Sequence, residues 1–138
     1  MKKSFITPSG LFLLIFFSLL NSHIVSAQKK DQMVRMSEIE IVPEYLEQYK
    51  AILKEEAEAS VRLEPGVIAI FPMFQKEDPN QVRILEIYAD KESYQSHLKT
   101  PHFLVYKTST LKMVKSLKLV DMNPLDPETM PEMFKKYN

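Results

Sequence analysis

Two histidines are the residues of this chain best suited to proton transfer. His97 and His102 are five positions apart and are the only histidines beyond residue 27. An imidazole titrates near neutral pH, so either ring could act as a general base. His102 also falls in the first turn of a predicted helix, where the helix dipole disfavours the imidazolium and keeps the ring able to accept a proton. The alternative is structural, with His102 capping the helix and His97 covering its surface.

The same two histidines do not form a recognisable metal site in the sequence. They lie on either side of a predicted helix break, with no third ligand nearby, and this spacing matches no common metal site. The chain contains no cysteine, which excludes thiolate ligands, disulfides and a thiolate nucleophile. We therefore predict that no metal ion is bound here.

A carboxylate interrupts an apolar strand upstream of the histidines. Glu86 lies in the predicted strand Gln81 to Tyr88 and shares one face of it with Tyr88. An unpaired charge in such a strand would be costly, so we expect a partner such as Arg35, a neighbour of Arg83 or a pocket histidine. The partnership could be purely structural, or it could tune a catalytic histidine.

Aromatic side chains could line a pocket beside these polar groups. Such residues are equally suited to the hydrophobic core of a small domain. The candidates for an aromatic pocket are Phe71, Phe74, Tyr88 and Phe103.

The elements that must position these residues follow from the spacing of apolar residues. Alternation with period two predicts strands, and the helical period predicts helices that end at Pro and Gly or begin at capping residues. The predicted order is a strand at Met33 to Ile41, a helix from Pro43 to Pro65-Gly66, a hairpin of Val67 to Phe74 and Gln81 to Tyr88, two short helices capped by Asp90 and Thr100, and a last strand containing Leu117 and Leu119.

This order predicts an α+β domain of the ferredoxin-like βαββαβ class, with strand order 4-1-3-2. Pro72 cannot donate a hydrogen bond to a neighbouring strand, which places the second strand at a sheet edge. The third strand has apolar residues on both faces, as expected of a central strand.

One side of such a sheet is not covered by helices. Four strands of about seven residues leave roughly 400 Å² there. The residues expected on that bare face are Ile84, Tyr88, Ile68 and Ile70. Because a soluble monomer rarely exposes so large an apolar face, we predict a homodimer that pairs through it.

The N-terminus has the order of a secretory signal. Lys2 and Lys3 precede the apolar run Leu11 to Leu20, and small residues end at Ala27. Ten apolar residues fall short of the roughly 20 that span a bilayer, so we expect cleavage, export to the periplasm or medium, and no membrane attachment afterwards. The expected divisions are a signal peptide at 1–27, a loose leader at 28–32, one domain at 33–124 and a tail at 125–138.

The charge of the expected mature chain argues against nucleic-acid binding. Both lysines of the signal count among the 18 basic residues, so the mature chain has a net charge of −2 against its 18 acidic residues. A protein that binds nucleic acid normally has a basic surplus, and this chain has none.

Three segments resemble the antibiotic biosynthesis monooxygenase family, in its quinol monooxygenase branch. They are residues 59–67 (ASVRLEPGV), 83–90 (RILEIYAD) and 94–103 (YQSHLKTPHF), and the resemblance covers about residues 33–124. It implies a dimeric α+β barrel with a pocket between sheet and helices. It also implies oxygenation of phenolic or quinol-like substrates without metal or flavin, and hence no cofactor.

In such an enzyme the substrate reduces O₂ itself, readily only as a phenolate, so the protein must supply a base and a dry pocket. We therefore predict a cofactor-independent monooxygenase acting on a small aromatic quinol or phenol. Its base would be His97 or His102, and the predicted substrate-binding residues are Glu86, Tyr88, Phe71, Phe74 and Phe103. The alternatives are a non-catalytic dimer that binds an apolar small molecule and an isomerase of the same fold. A haem-degrading relative is disfavoured, because those enzymes rely on a tryptophan and this chain has none.

Overall fold

The computed structural model describes residues 32–126 and Lys136. The predicted signal peptide, almost all of the predicted leader and most of the tail lie outside the described residues. The elements in chain order are β1 (Met33–Ile41), a 3-10 turn (Pro43–Tyr45), α1 (Leu46–Leu63), β2 (Val67–Phe74), β3 (Gln81–Tyr88), α2 (Lys91–His97), α3 (Pro101–Thr110) and β4 (Val114–Met122). None of the described helices has the length and apolar character needed to cross a bilayer.

The four strands form one antiparallel sheet in the order β2-β3-β1-β4. This confirms the predicted α+β ferredoxin-like class and its strand order. The strand containing Pro72 lies at an edge, where a missing backbone N–H costs no ladder hydrogen bond.

Helix α1 ends at Leu63 because Pro65 follows Glu64. A residue before proline disfavours the helical conformation, and Glu64, which precedes Pro65, is extended with φ −106° and ψ 107°. The helix buries Tyr49, Leu53 and Ala57 against the sheet. The core that results also contains Ile39, Ile41, Val82, Ile84 and Met113.

The helices cover the face of the sheet opposite to the one predicted. Ile84 and Tyr88 were expected on the bare face, but both are buried, Tyr88 completely, beneath the helices. Ile70 also packs against the core on the helix side, and Ile68 falls at a shift of register between Val67 and Ala69. The prediction failed because β3 is apolar on both faces, so alternation alone does not say which face the helices cover.

The open face carries a different apolar set. Met36, Leu85 and Phe71 are neighbours across β1, β3 and β2, and Phe71 is 58% exposed. Towards one end of the sheet the face becomes charged, where Glu38 lies opposite Arg83 and 4.0 Å from Lys118. The helices therefore leave an apolar patch exposed, bordered by ion-pairing side chains.

Candidate active site

A cavity of about 380 Å³ lies between the sheet and the helices. Its sheet wall includes Ser37, Ile84, Glu86 and Leu117, and its helix wall includes Glu56, His97, Phe103 and Tyr106. Most of the lining is apolar, with a few polar groups on each wall, which is the composition typical of a small-molecule site.

Glu86 is the polar centre of the sheet wall. Its Oε1 accepts a hydrogen bond from the Ser37 hydroxyl at 2.5 Å, and its Oε2 accepts one from the Tyr88 hydroxyl at 2.8 Å. Burial, followed by the nearby Glu86, raises the pKa of Tyr88 above its usual range. Both carboxylate oxygens are thus held by hydroxyl donors on neighbouring positions of the sheet.

Glu86 has hydrogen-bond partners, as expected, but they are none of the candidates named from the sequence. Arg35 instead donates to Asp121 Oδ1 at 2.8 Å and lies over the ring of Tyr94, with 4.5 Å between the guanidinium carbon and the ring centroid. Two neutral hydroxyls replace the charged partner that the sequence suggested. Ser37 was missed because a serine on an apolar strand face gives no signal of its own.

His97, the last residue of α2, is the polar centre of the helix wall. The side chain is 3% exposed, and its Nδ1 lies 3.0 Å from Oε1 of Glu64. Because an ionised carboxylate oxygen can only accept, Nδ1 carries a proton in this contact. Nε2 is 3.6 Å from Oε1 of Glu56, which lines the cavity. The nitrogen of His97 that does not contact Glu64 is therefore on the cavity side of the ring.

Glu64 joins the two histidines. Its Oε1 also accepts a hydrogen bond from Nε2 of His102 at 2.6 Å. Burial would raise the pKa of Glu64, but the hydrogen bonds from His102 and His97 outweigh it and hold that pKa below its ordinary value. The sequence appeared to offer no third group near the histidines, and this was wrong, since the turn after α1 brings Glu64 to both rings.

One interpretation of the sequence made His102 the cap of α3, and the structure shows that it is not. The cap is Thr100, whose hydroxyl accepts from the backbone N–H of Phe103 at 3.3 Å and donates to the carbonyl of His97 at 2.9 Å. Of the two candidate bases, His97 lines the cavity, whereas His102 contacts Glu64 behind it.

Glu56 was not anticipated from the sequence. It is buried on α1, and its Oε1 accepts a hydrogen bond from Ser60 at 2.8 Å. Burial raises the pKa of Glu56 and outweighs the hydrogen bond from Ser60, which acts in the opposite direction. The only signal was its position one residue from Ala57 and three from Leu53, on the edge of the apolar stripe of the helix.

The predicted aromatic residues separate into three groups. Phe103 lines the cavity, and its ring centroid is 4.7 Å from that of His97. Tyr88 lies behind Glu86 and positions it, whereas Phe74 packs against the core beside α1, with Lys50 Nζ 5.3 Å from its ring. Phe71 was wrongly predicted, because it points away from the cavity on the open face.

A tyrosine pair that the sequence did not single out completes the helix wall. The hydroxyls of Tyr49 and Tyr106 are 2.8 Å apart, and burial raises the pKa of Tyr106 to about 12. Tyr106 therefore presents a protonated phenol at the cavity across the physiological pH range.

The approach of α2 to the end of α1 depends on Gly66. A Cβ at this position would overlap the Cβ and Oγ of Ser93. Ser93 in turn donates its backbone N–H and its hydroxyl to Asp90, at 2.7 and 2.6 Å, and so fixes the start of α2. The absence of a side chain at residue 66 thus lets α2 dock where His97 meets Glu64.

Comparison with known proteins identifies the family. Residues 33–109 match the family model described as antibiotic biosynthesis monooxygenase. The chain belongs to this family. No curated protein matches the chain.

Solved structures of relatives agree with this assignment. An antibiotic biosynthesis monooxygenase family structure from Bacteroides thetaiotaomicron is 56% identical, with a TM-score of 0.71, over 72% of this chain and 94% of that one. A structure described as a monooxygenase, from Lactobacillus acidophilus, is 29% identical with a TM-score of 0.66, over 67% of this chain and 44% of that one. A Nitrosomonas europaea structure, 22% identical over 70% of this chain and 92% of that one with a TM-score of 0.66, shares the fold.

The site of this family member has the parts that proton abstraction requires. The imidazole of His97 faces a mostly apolar cavity, and Glu64, a carboxylate with a lowered pKa, holds the far side of the ring. An ionised Glu64 at this distance would stabilise an imidazolium, as an orienting carboxylate does for a catalytic histidine.

Proposed function

We propose that this protein is a cofactor-independent monooxygenase that oxidises a small aromatic quinol or phenol, with His97 as the general base. The observation that carries the proposal is the placement of the His97 ring between Glu64 at Nδ1 and the cavity at Nε2. Membership of the antibiotic biosynthesis monooxygenase family supports the reaction class.

The cavity favours a substrate of one or two aromatic rings that carries hydroxyl groups. A volume of about 380 Å³ falls at the lower end of small-molecule sites. Phe103 and Tyr106 offer aromatic surfaces to such a ring. Glu56 and Glu86 place oxygen acceptors on the helix wall and the sheet wall, which suits a molecule with hydrogen-bond donors at more than one position.

The reaction needs no electron donor other than the substrate. His97 Nε2 takes the proton of a substrate hydroxyl, and the resulting phenolate reduces O₂ within the cavity. One oxygen atom enters the ring and the other leaves as water. The quinol supplies all four electrons and ends as a hydroxylated quinone, so that quinol plus O₂ gives hydroxyquinone plus water.

An oxygen electrode tests this function with a panel of hydroquinones and the variants His97→Gln and His102→Gln. We expect oxygen uptake by the wild type and a loss of about 100-fold or more in kcat/KM for His97→Gln, which is the usual contribution of a general base. His102→Gln keeps a hydrogen-bond donor to Glu64, so its kcat/KM should fall by less than about tenfold.

The other outcomes decide between the alternatives. Tight binding of a phenol without oxygen uptake would identify a non-catalytic binding protein. Turnover without oxygen uptake would identify an isomerase. A larger loss of kcat/KM in His102→Gln than in His97→Gln would show that the base has been wrongly assigned.

We also propose that two copies pair through the open faces of their sheets, which carry Phe71, Met36 and Leu85. The exposed apolar patch supports this pairing, since sheets commonly pack face to face. The N-terminal sequence supports the further proposal that the chain is exported and loses residues 1–27.

A further inference from the structure

Three potential metal ligands lie together behind the cavity. One ring nitrogen of His97, one of His102 and a carboxylate oxygen of Glu64 all lie within 4.8 Å of one another. Oε1 of Glu64 is 3.0 Å from the first nitrogen and 2.6 Å from the second. Zinc bonds to nitrogen and oxygen of about 2.0 to 2.2 Å place neighbouring ligands of a tetrahedral site roughly 3.3 Å apart. A modest opening of the cluster would thus admit an ion.

We propose that Glu64, His97 and His102 form a binding site for one divalent transition-metal ion of the zinc type. Two imidazoles and one carboxylate suit Zn²⁺ and its neighbours, whereas Mg²⁺ and Ca²⁺ prefer a shell of oxygen ligands. Three protein ligands leave a fourth position for water, as in zinc sites that are not closed. The side chains of Glu64 and His102 are 11% and 19% exposed, so that an ion and its water can enter from solvent.

The ligands are held in place before any ion arrives. Glu64 is fixed at the end of α1 by its position before Pro65, and His97 ends α2. Thr100 ties the first turn of α3, which carries His102, to the carbonyl of His97. Ligands fixed on three elements lose little freedom on binding, which favours affinity.

A second carboxylate occupies the position expected behind a metal-bound histidine. Metal-binding histidines usually direct their other ring nitrogen to a carboxylate, which sets the tautomer and the ring orientation. Here Oε1 of Glu56 is 3.6 Å from Nε2 of His97, on the far side of the ring from Glu64. This placement of Glu56 is independent of the three ligands and points to the same site.

Metal binding and the proposed base function exclude each other. An ion on Nδ1 of His97 forces the ring proton onto Nε2, which can then no longer accept a proton from a substrate. A bound ion would therefore switch off the oxygenase. This consequence rests on the proposed function, whereas the metal site itself does not.

Titration of the untagged, chelator-treated protein with Co²⁺ tests the site without any substrate. We expect visible absorption that saturates at one Co²⁺ per chain and is abolished by Zn²⁺ but not by Mg²⁺. Glu64→Gln and His102→Ala should weaken Zn²⁺ binding by about 100-fold or more, and Glu56→Gln by about tenfold. Glu58→Gln, at an exposed position of the same helix, should leave the affinity unchanged.

Three results would overturn the proposal. The first is no Co²⁺ absorption and no heat of Zn²⁺ binding, which would leave a hydrogen-bonded cluster only. The second is binding that survives in Glu64→Gln, a variant of nearly the same shape that tests the site even where His102→Ala misfolds by circular dichroism. The third is a Mg²⁺ response equal to that of Zn²⁺.

Oxygen uptake separates this proposal from the proposed function. Inhibition of uptake by one equivalent of Zn²⁺ would support both proposals. Zn²⁺ binding by a protein that never consumes oxygen would support the metal site and overturn the oxygenase. Full activity at saturating Zn²⁺ would overturn the mutual exclusion.

Discussion

The two faces of the sheet satisfy their side chains in opposite ways. On the helix-covered face, the polar groups have partners within the chain, as Glu86 does in Ser37 and Tyr88. On the open face, the charged residues pair across the strands, but the apolar patch around Phe71 has no cover among the described residues. The covered face therefore holds polar groups in fixed positions, and the open face leaves an apolar patch exposed.

The cavity and the open apolar patch are thus built from opposite faces of the same four-stranded sheet. Successive residues of β3 face opposite sides of the sheet: Glu86 lines the cavity, while Leu85 belongs to the open face. A substitution on one face should affect association, and a substitution at the next residue should affect the site. The predictions below test that separation.

Replacing Phe71 with glutamate is expected to have the largest effect. A charge buried without a partner in both copies of a dimer costs at least about 3 kcal/mol, so the dissociation constant should rise about 100-fold or more. Sedimentation velocity measures the change. The control is Leu63→Glu. Leu63 is about as exposed as Phe71, at 60% against 58%, but it lies at the end of α1 and not on the open face. A wild type that sediments as a monomer, or an unchanged dimer in Phe71→Glu, would refute the pairing.

Replacing Tyr88 with phenylalanine should reduce stability without affecting association. Oε2 of Glu86 would lose its donor inside the protein, which costs about 1 to 3 kcal/mol of unfolding free energy. Urea denaturation measures the loss. In a double-mutant cycle with Glu86→Leu the two effects should not add in full, because both remove the hydrogen bond from Tyr88 to Glu86. Additive losses would mean that the two side chains do not interact.

The smallest effect concerns alkaline pH. The pKa of Tyr106 rises from an ordinary value of 10.0 to about 12, with burial as the main cause. Between these values the folded chain retains a proton that the unfolded chain has lost, so stability should fall as pH rises from 10 to 12. The free energy of unfolding, measured over that pH range, should fall less steeply in Tyr106→Phe than in the wild type. An identical slope would contradict the assigned pKa.

Three of the four strands could be predicted from the sequence to the residue. The predicted bounds of β1, β2 and β3 are those observed, because period-two patterns and turn residues are local signals. The side that faces the helices could not be predicted, since Leu85 and Ile84 are equally apolar. The roles of Phe71 and Tyr88 were misassigned for the same reason.

The histidine site could be predicted only in part. His97 and His102 were visible as rare titratable residues, and the family resemblance included the segment with Glu64. The contact between Glu64 and His97 joins residues 33 positions apart and depends on how α2 docks against the turn after α1. No local pattern encodes such a contact. Glu56 escaped notice because a glutamate on a helix is usually solvated.

The packing of Gly66 against Ser93 makes the geometry of the site depend on two residues that touch neither substrate nor metal. Any side chain at residue 66 must push α2 away, and His97 would move with it while Glu64 stayed at the end of α1. A methyl group added far from the cavity would thus disturb the proposed base and the proposed metal site at once. Because Cβ of Ser93 is part of the overlap, a side chain at residue 66 requires glycine at residue 93.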